Sequence, residues 1–282
     1  MIRNLVIAIG LVVAACDDTV DPITKITGPR VLAVETEPSV LALDGVLQLT
    51  ALTVDPDGPR TGERPVDAVR MRACAPWKFV SDPALDCAGL DALALVTDDQ
   101  GRVTVSSQAL EAAFPSPPGI DAPPDPWGAV IAAGVPLRVP VIVEIEVDGL
   151  TLTARRDITV VDPMVAHQNP RISEVRFDGV VTTTLRPDQR YVLTVAIDPA
   201  SLDEGLLDDD TPGEREQVGT RLYSPAGALA DTSVELDDPD AELPESEPTA
   251  YTTGAPGPTW LFVVAVDQTG GMSLVSVPLV IE

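Results

Sequence analysis

From Arg30 onward, short runs rich in Val, Leu and Thr alternate with stops made of Pro, Asp and Gly, the pattern of β-strands separated by turns. Arg30-Val31-Leu32-Ala33-Val34 and the run from Val46 to Val54 are the first two strands it predicts. Between Val141 and Val160 the pattern also fixes a register. Asp148-Gly149 interrupts two alternating runs and is the favoured chemistry of a two-residue type I′ turn. Such a turn pairs Val147 with Leu150, Ile145 with Leu152 and Val143 with Ala154, all apolar, while Glu144, Glu146, Thr151 and Thr153 share the other face. Turn chemistry and alternation therefore select one pairing with one buried face.

The plan repeats. Pro29-Arg30-Val31 resembles Pro170-Arg171-Ile172, and the strand ending Thr53-Val54-Asp55-Pro56 resembles the one ending Ala196-Ile197-Asp198-Pro199. A second closing hairpin runs from Trp260 to Asp267, turns through Gln268 to Gly271 and returns through Val275, Val277, Leu279 and Ile281. The copies are offset by 141 residues at their starts and 119 at their last turns, so the first unit carries an insertion. Residues 28–162 and 163–282 form the two units, joined near Val161 to Asn169. The insertion holds Cys74 and Cys87, a hairpin expected across Asp98 to Gly101 and a helix over Gln108 to Ala113 capped by Ser107. It also holds the proline-rich stretch from Phe114 to Trp127, which cannot be a central strand. Trp260 opens an alternating strand and reads as core. Two tandem antiparallel β-sandwiches of an immunoglobulin-like type, all-β, are the expected fold.

The amino terminus adds an address. Arg3 precedes an apolar run from Leu5 to Ala15 that falls short of the about 20 residues needed to span a bilayer, so residues 1–15 read as an export signal. Val13-Ala14-Ala15-Cys16 resembles a bacterial lipobox, which implies cleavage before Cys16 and lipidation of that residue. The polar stretch 16–27 then reads as a tether to the membrane. Asp17 resembles the inner-membrane retention signal of enteric bacteria, a position other bacterial groups read differently; the outer membrane is the favoured address, on its periplasmic side or at the cell surface. In an exported chain, Cys74 and Cys87 are expected to form a local disulfide worth about 3 kcal/mol by loop closure. Zinc at these cysteines would need more ligands than the neighbourhood offers. With its lipobox, tandem β units and Lys-poor composition, the chain resembles the immunoglobulin-like or fibronectin-like surface lipoproteins of myxobacteria and related groups. That resemblance brings no catalytic residue with it.

Charge narrows the partners. Lys+Arg number 18 against 44 Asp+Glu, a net charge of -26, which excludes nucleic acid and anionic headgroups as electrostatic partners. The expected partners are the membrane, through the lipid on Cys16, and an envelope protein or polysaccharide. No cofactor is expected, with calcium as the alternative at two acidic loops, one bearing Asp203, Asp208, Asp209 and Asp210 and the other spanning Asp237 to Glu247. Neither has EF-hand spacing, and solvated surface is the plainer account. Trp77 and Trp127 stand outside the regular strands as candidate ligand surface, packing over the disulfide or a sheet edge being the alternative. His167 is the single histidine; it sits in the connection and reads as linker rather than catalytic base. The expected function is a non-enzymatic binding or spacing module of the cell envelope. A calcium-dependent adhesion module and an exported carbohydrate-active enzyme are the alternatives.

Overall fold

The structure is a computed structural model and describes residues 24–76, 87, 91–98, 100–115, 125–134, 137–162, 167–203 and 215–282. Unit one contains β1 (Arg30–Glu37), β2 (Leu41–Ala42), β3 (Val46–Asp55), β4 (Gly58–Pro59), β5 (Ala68–Cys74), β6 (Ala92–Leu95) and β7 (Arg102–Ser106). Helices α1 (Ser107–Ala113) and α2 (Pro126–Ala132) follow, then β8 (Leu137–Val147) and β9 (Leu150–Val161). Unit two contains β10 (Ile172–Phe177), β11 (Thr184–Leu185), β12 (Arg190–Ile197), β13 (Val218–Tyr223), β14 (Ala228–Leu229), β15 (Ser233–Glu235), β16 (Thr249–Thr252), β17 (Gly257–Asp267) and β18 (Met272–Ile281).

Each unit is a two-sheet sandwich. In unit one, β1, β4 and β7 flank β3, facing the sheet β2-β9-β8-β5-β6; in unit two, β10-β12-β16-β14 faces β11-β18-β17-β13-β15. A short strand pairs in parallel with the last strand of each unit, β2 with β9 and β11 with β18, as expected for an immunoglobulin-like sandwich. The two inner faces close over separate cores, one including Leu49, Val143 and Ile158 and the other Val195, Tyr251 and Leu261. The β8–β9 register runs Val147↔Leu150, Ile145↔Leu152 and Val143↔Ala154. Asp148 and Gly149 both take positive φ, at 51° and 76°, as a type I′ turn requires. Near the turn the apolar face is fully buried on β8 alone: Leu150 is 52% exposed, and β9 becomes buried core only at Ile158 and Val160, where β2 pairs alongside it.

The insertion departs from several expectations. The turn from Asp98 to Gly101 does not close a hairpin. A single bridge, Thr97↔Val103, marks the point where the chain leaves β6, paired with β5, and enters β7, paired with β3. It is a crossover between sheets. The cap of α1 is Ser106, whose hydroxyl accepts the Ala109 N–H, while Ser107 is buried in the first turn. The proline-rich stretch leads into α2, with Asp125 as cap and Pro126 in the first turn, a position where a missing N–H costs nothing. The Cys74–Cys87 disulfide forms and lies with Ile142, on the outer face of β8. It covers a hydrophobic residue that alternation had turned away from the core.

Unit two lies alongside unit one. Along β17, Leu261, Val263 and Ala265 point into their own core, whereas Phe262 packs with Ile26 and Val54 in a separate cluster joined by Leu32, Tyr223, Trp260 and Leu274. Trp260 thus belongs to the junction between units and not to the core of unit two; it stacks on Phe262 with ring centroids 6.2 Å apart. Gly58 lies beneath it, where an added Cβ would come within 2.7 Å of the indole. The last part of the expected tether is also packed. Lys25 bridges to Ser224, the Ile26 N–H donates to the Ser224 carbonyl at 3.1 Å, and Ile26 is 1% exposed, since an isolated isoleucine gains from covering the cluster.

Candidate functional site

Among the described residues polar groups stand in several concave regions, two of which bear on function. The first is a groove of about 690 Å³ in unit one. Its floor is the β3 edge at Ala51 and Leu52, between the part of β3 paired with β7 and the part paired with β4. Its walls come from the connection before β5 and the crossover turn, with Arg60, Val66, Val69 and Gln100 among them. Asp55, 2% exposed, braces this end. Its carboxylate accepts the Asp57 N–H at 2.9 Å and ion-pairs with Arg60 at 2.5 Å and Arg64 at 2.6 Å, while Arg60 also holds Asp148. Burial works against the Asp55 charge, but the Arg64 and Asp57 hydrogen bonds and the two guanidinium charges outweigh it and hold the carboxyl below its ordinary value. The Asp55-Pro56-Asp57-Gly58 turn is thereby tied to the β8–β9 turn, giving the groove a rigid rim.

The second region is the junction. Asn169 spans it: its Nδ2 donates to the Thr36 carbonyl at 2.5 Å and its Oδ1 accepts the Met272 N–H at 2.9 Å. Arg156, 7% exposed, reaches the Thr36 hydroxyl at 3.3 Å from the unit-one side. Asp267, 6% exposed, closes the β17–β18 turn from the other side by accepting from the Gly271 N–H at 2.6 Å and the Thr269 hydroxyl at 2.8 Å. Deeper still is Glu216, 1% exposed. Its Oε1 accepts the Asp203 N–H at 3.2 Å, its own N–H donates to the Asp203 carbonyl at 3.0 Å, and its Oε2 has no partner among the described residues. Burial first, then the charges of Asp267 and Asp203, push this carboxyl up to about 8, against the pull of the Asp203 N–H.

The residues singled out in the sequence fall differently. Asp203 pins the base of its acidic loop, with Oδ2 accepting the Gln168 N–H at 2.9 Å and lying 3.4 Å from His167 Nδ1. Asp208, Asp209 and Asp210 lie outside the described residues, as do Trp77 and Cys16. Among the described residues no group of three His, Cys, Asp or Glu side chains could hold a metal ion. The second acidic loop is organised by arginines: Arg176 pairs with Glu245, and Arg215 donates to the Pro239 and Ala241 carbonyls at 3.3 and 3.2 Å. Trp127 is not a ligand surface. It is 1% exposed, packed into the unit-one core, and its Nε1 donates to the Phe114 carbonyl at 3.0 Å. His167 is buried at the connection, and no serine hydroxyl bonds to it among the described residues. The sequence reading missed Arg156, Asp267 and Glu216. A signal existed for the junction itself, because Trp260 to Val266 is apolar on both faces, the mark of a strand covered twice.

No family model matches the sequence, and no curated protein is similar to it. Solved structures that the chain matches include the fibronectin(III)-like modules of Clostridium thermocellum CbhA, at 10% identity over 89% of this chain and 94% of that one, TM-score 0.24. The FN1–FN3 domains of chicken CNTN1 match at 10% identity over 90% and 66%, TM-score 0.23. Dimeric latent PorU from Porphyromonas gingivalis matches at 9% identity over 92% of this chain, TM-score 0.28, and the chain spans 24% of it. The disulfide is of the kind that persists in oxidising compartments, and no helix among the described residues is long and apolar enough to cross a membrane.

Proposed function

We propose that the chain is a lipid-anchored protein of the bacterial cell envelope that acts as a non-enzymatic binding module, presenting the unit-one groove to an envelope polysaccharide or protein. One observation carries this reading: the turn that closes unit two is buried in the junction, while the equivalent turn of unit one braces an open groove on a rigid support. Recognition surfaces commonly have this form, loops held by a scaffold. Lipidation at Cys16 rests on the lipobox alone.

Both parts are testable. In a bacterial host the full chain should incorporate labelled palmitate and sediment with membranes, and Cys16→Ser should abolish both; a wild-type chain that stays unlabelled and soluble removes the anchor. Retention on purified peptidoglycan and outer-membrane fractions tests the module. Thr61→Arg, on the exposed rim of the groove, should lower retention by about fivefold or more. Equal retention of variant and wild type would leave the groove without a binding role.

A further inference from the structure

Cations are scarce on this chain, yet three arginines line one small cleft. It lies where β8 and β9 of unit one meet the β17–β18 turn of unit two, and it encloses about 350 Å³. Arg138, Arg155 and Arg156 stand on one wall with Thr159, and Gln268 and Thr269 stand on the other. Arg155 is already neutralised, its Nε and Nη2 donating to the two oxygens of Asp157 at 2.8 and 3.2 Å. Arg138 is exposed and makes no ion pair among the described residues.

Arg156 is the unusual member. Among the described residues its side chain, buried with the rest of the residue, makes one hydrogen bond, to the Thr36 hydroxyl, and its Nε has no partner. Thr36 donates its own proton to the Ser39 carbonyl at 2.9 Å, so it offers Arg156 a lone pair but no charge. The acids whose charges act on Arg156 are Asp267, across the junction, and Asp157, which Arg155 already holds. Asp267 Oδ1 is taken by its own turn, its Oδ2 is buried without a partner among the described residues, and burial pushes its carboxyl up toward the neutral form. No carboxylate of the described residues lies within ion-pair distance of Arg156. A guanidinium carries five N–H donors in a planar fork, and burying one with a single neutral acceptor is costly unless a charged acceptor completes it.

We propose that this cleft binds an oxyanion, a carboxylate or sulfate group carried on a ligand about the size of one sugar ring. Arg156 and Arg138 supply the charge and the planar fork that suits such a group. Thr159, Thr269 and Gln268 supply hydrogen bonds for ring hydroxyls, and Asp157, held by Arg155, supplies an acceptor for another. The surrounding negative charge repels densely charged polymers at long range, so the ligand carries an isolated acidic group. This site is separate from the unit-one groove, and either can fail without the other.

The purified full chain, kept at constant ionic strength with sodium chloride, is titrated with sodium glucuronate, glucose and sodium sulfate while the melting midpoint and the arginine Nε–H resonances are followed. Glucuronate should raise the midpoint saturably by about 2–4 °C and shift the Arg156 resonance, with glucose inert. Arg138→Gln, at an exposed position, should weaken glucuronate binding about tenfold while leaving the ligand-free midpoint in place. A response to glucuronate that exceeds the response to sulfate assigns the site to a sugar acid; equal responses assign it to free oxyanions. No saturable response to either anion, or one that Arg138→Gln leaves intact, overturns the site.

Discussion

The two units repeat one plan, and the positions where they differ show how they fit together. Both first strands carry a bulge at the same place, leaving Leu32 unpaired in β1 and Ser173 in β10. Leu32 turns into the junction cluster, whereas Ser173 is exposed and donates its hydroxyl to the Ala196 carbonyl at 3.1 Å. The closing turns differ likewise. Asp148 is held by Arg60 at the rim of a groove, with its side chain 56% exposed, while Asp267 is buried against unit one. One backbone device, given an apolar or a polar side chain, becomes either a contact between units or a piece of surface. The repeat therefore supplies the architecture, and a few side chains decide which copy presents loops and which spends them on docking.

The contrast is most exposed to refutation on the outer face of β17. Phe262→Ala should cost about 3–5 kcal/mol in urea unfolding, as for a buried core phenylalanine, whereas Leu150→Ala on the half-covered β9 should stay within about 0.5 kcal/mol. Equal costs would mean that the junction is not a second core.

Next in size is the pH response. The ordinary Glu value is 4.5 and the folded one about 8. Below the ordinary value folded and unfolded chains are both protonated at Glu216 and nothing is gained or lost. Between the two values the folded state keeps a proton that the unfolded chain releases, so stability falls as pH rises and levels off above the folded value. Glu216→Gln, neutral at every pH, should flatten that decline and exceed the wild type by about 2–4 kcal/mol at pH 9. A residual slope of the same sign comes from Asp267, Glu35 and Glu111, whose carboxyls burial also raises. Parallel pH profiles for variant and wild type would remove Glu216 from the account.

Gly58 comes third. With φ at +122° and the Trp260 indole 2.7 Å from a would-be Cβ, Gly58→Ala should cost about 2–3 kcal/mol. The double variant with Trp260→Ala should cost less than the sum of the two single losses, because removing the ring makes room for the methyl group; full additivity would deny the contact. The smallest effect separates the two bulges. Leu32→Ser should lose about 1–2 kcal/mol and Ser173→Leu should change stability by less than about 0.5 kcal/mol, both read from denaturation midpoints.

The strands, the β8–β9 register, the disulfide and the internal repeat were legible because each rests on local rules. Alternation assigns faces, Asp-Gly sets a turn, and two cysteines thirteen positions apart have a short loop to close. The α1 cap was displaced by one residue, since adjacent serines offer equivalent hydroxyls and backbone geometry chooses between them. The Asp98–Gly101 turn motif suits a hairpin and a crossover alike, because it does not reveal which partner each flanking strand takes. For Trp127 local pattern leaves both a ligand surface and packing on the sheet open, because its neighbours in the core come from strands far along the chain.

By itself, then, the sequence determined two β-sandwich units, their elements and much of their register, since turn chemistry and period-two patterning act between near neighbours. Only the tertiary structure decided that the outer face of β17 is covered, that Ile26 and Leu32 close a junction, and that Arg156, Asp267 and Glu216 meet there in a buried polar layer. The physical reason is distance along the chain. Residues brought together from positions 26, 36, 156, 216 and 267 share no local pattern, and a charged side chain is drawn into the interior only when another unit closes over it.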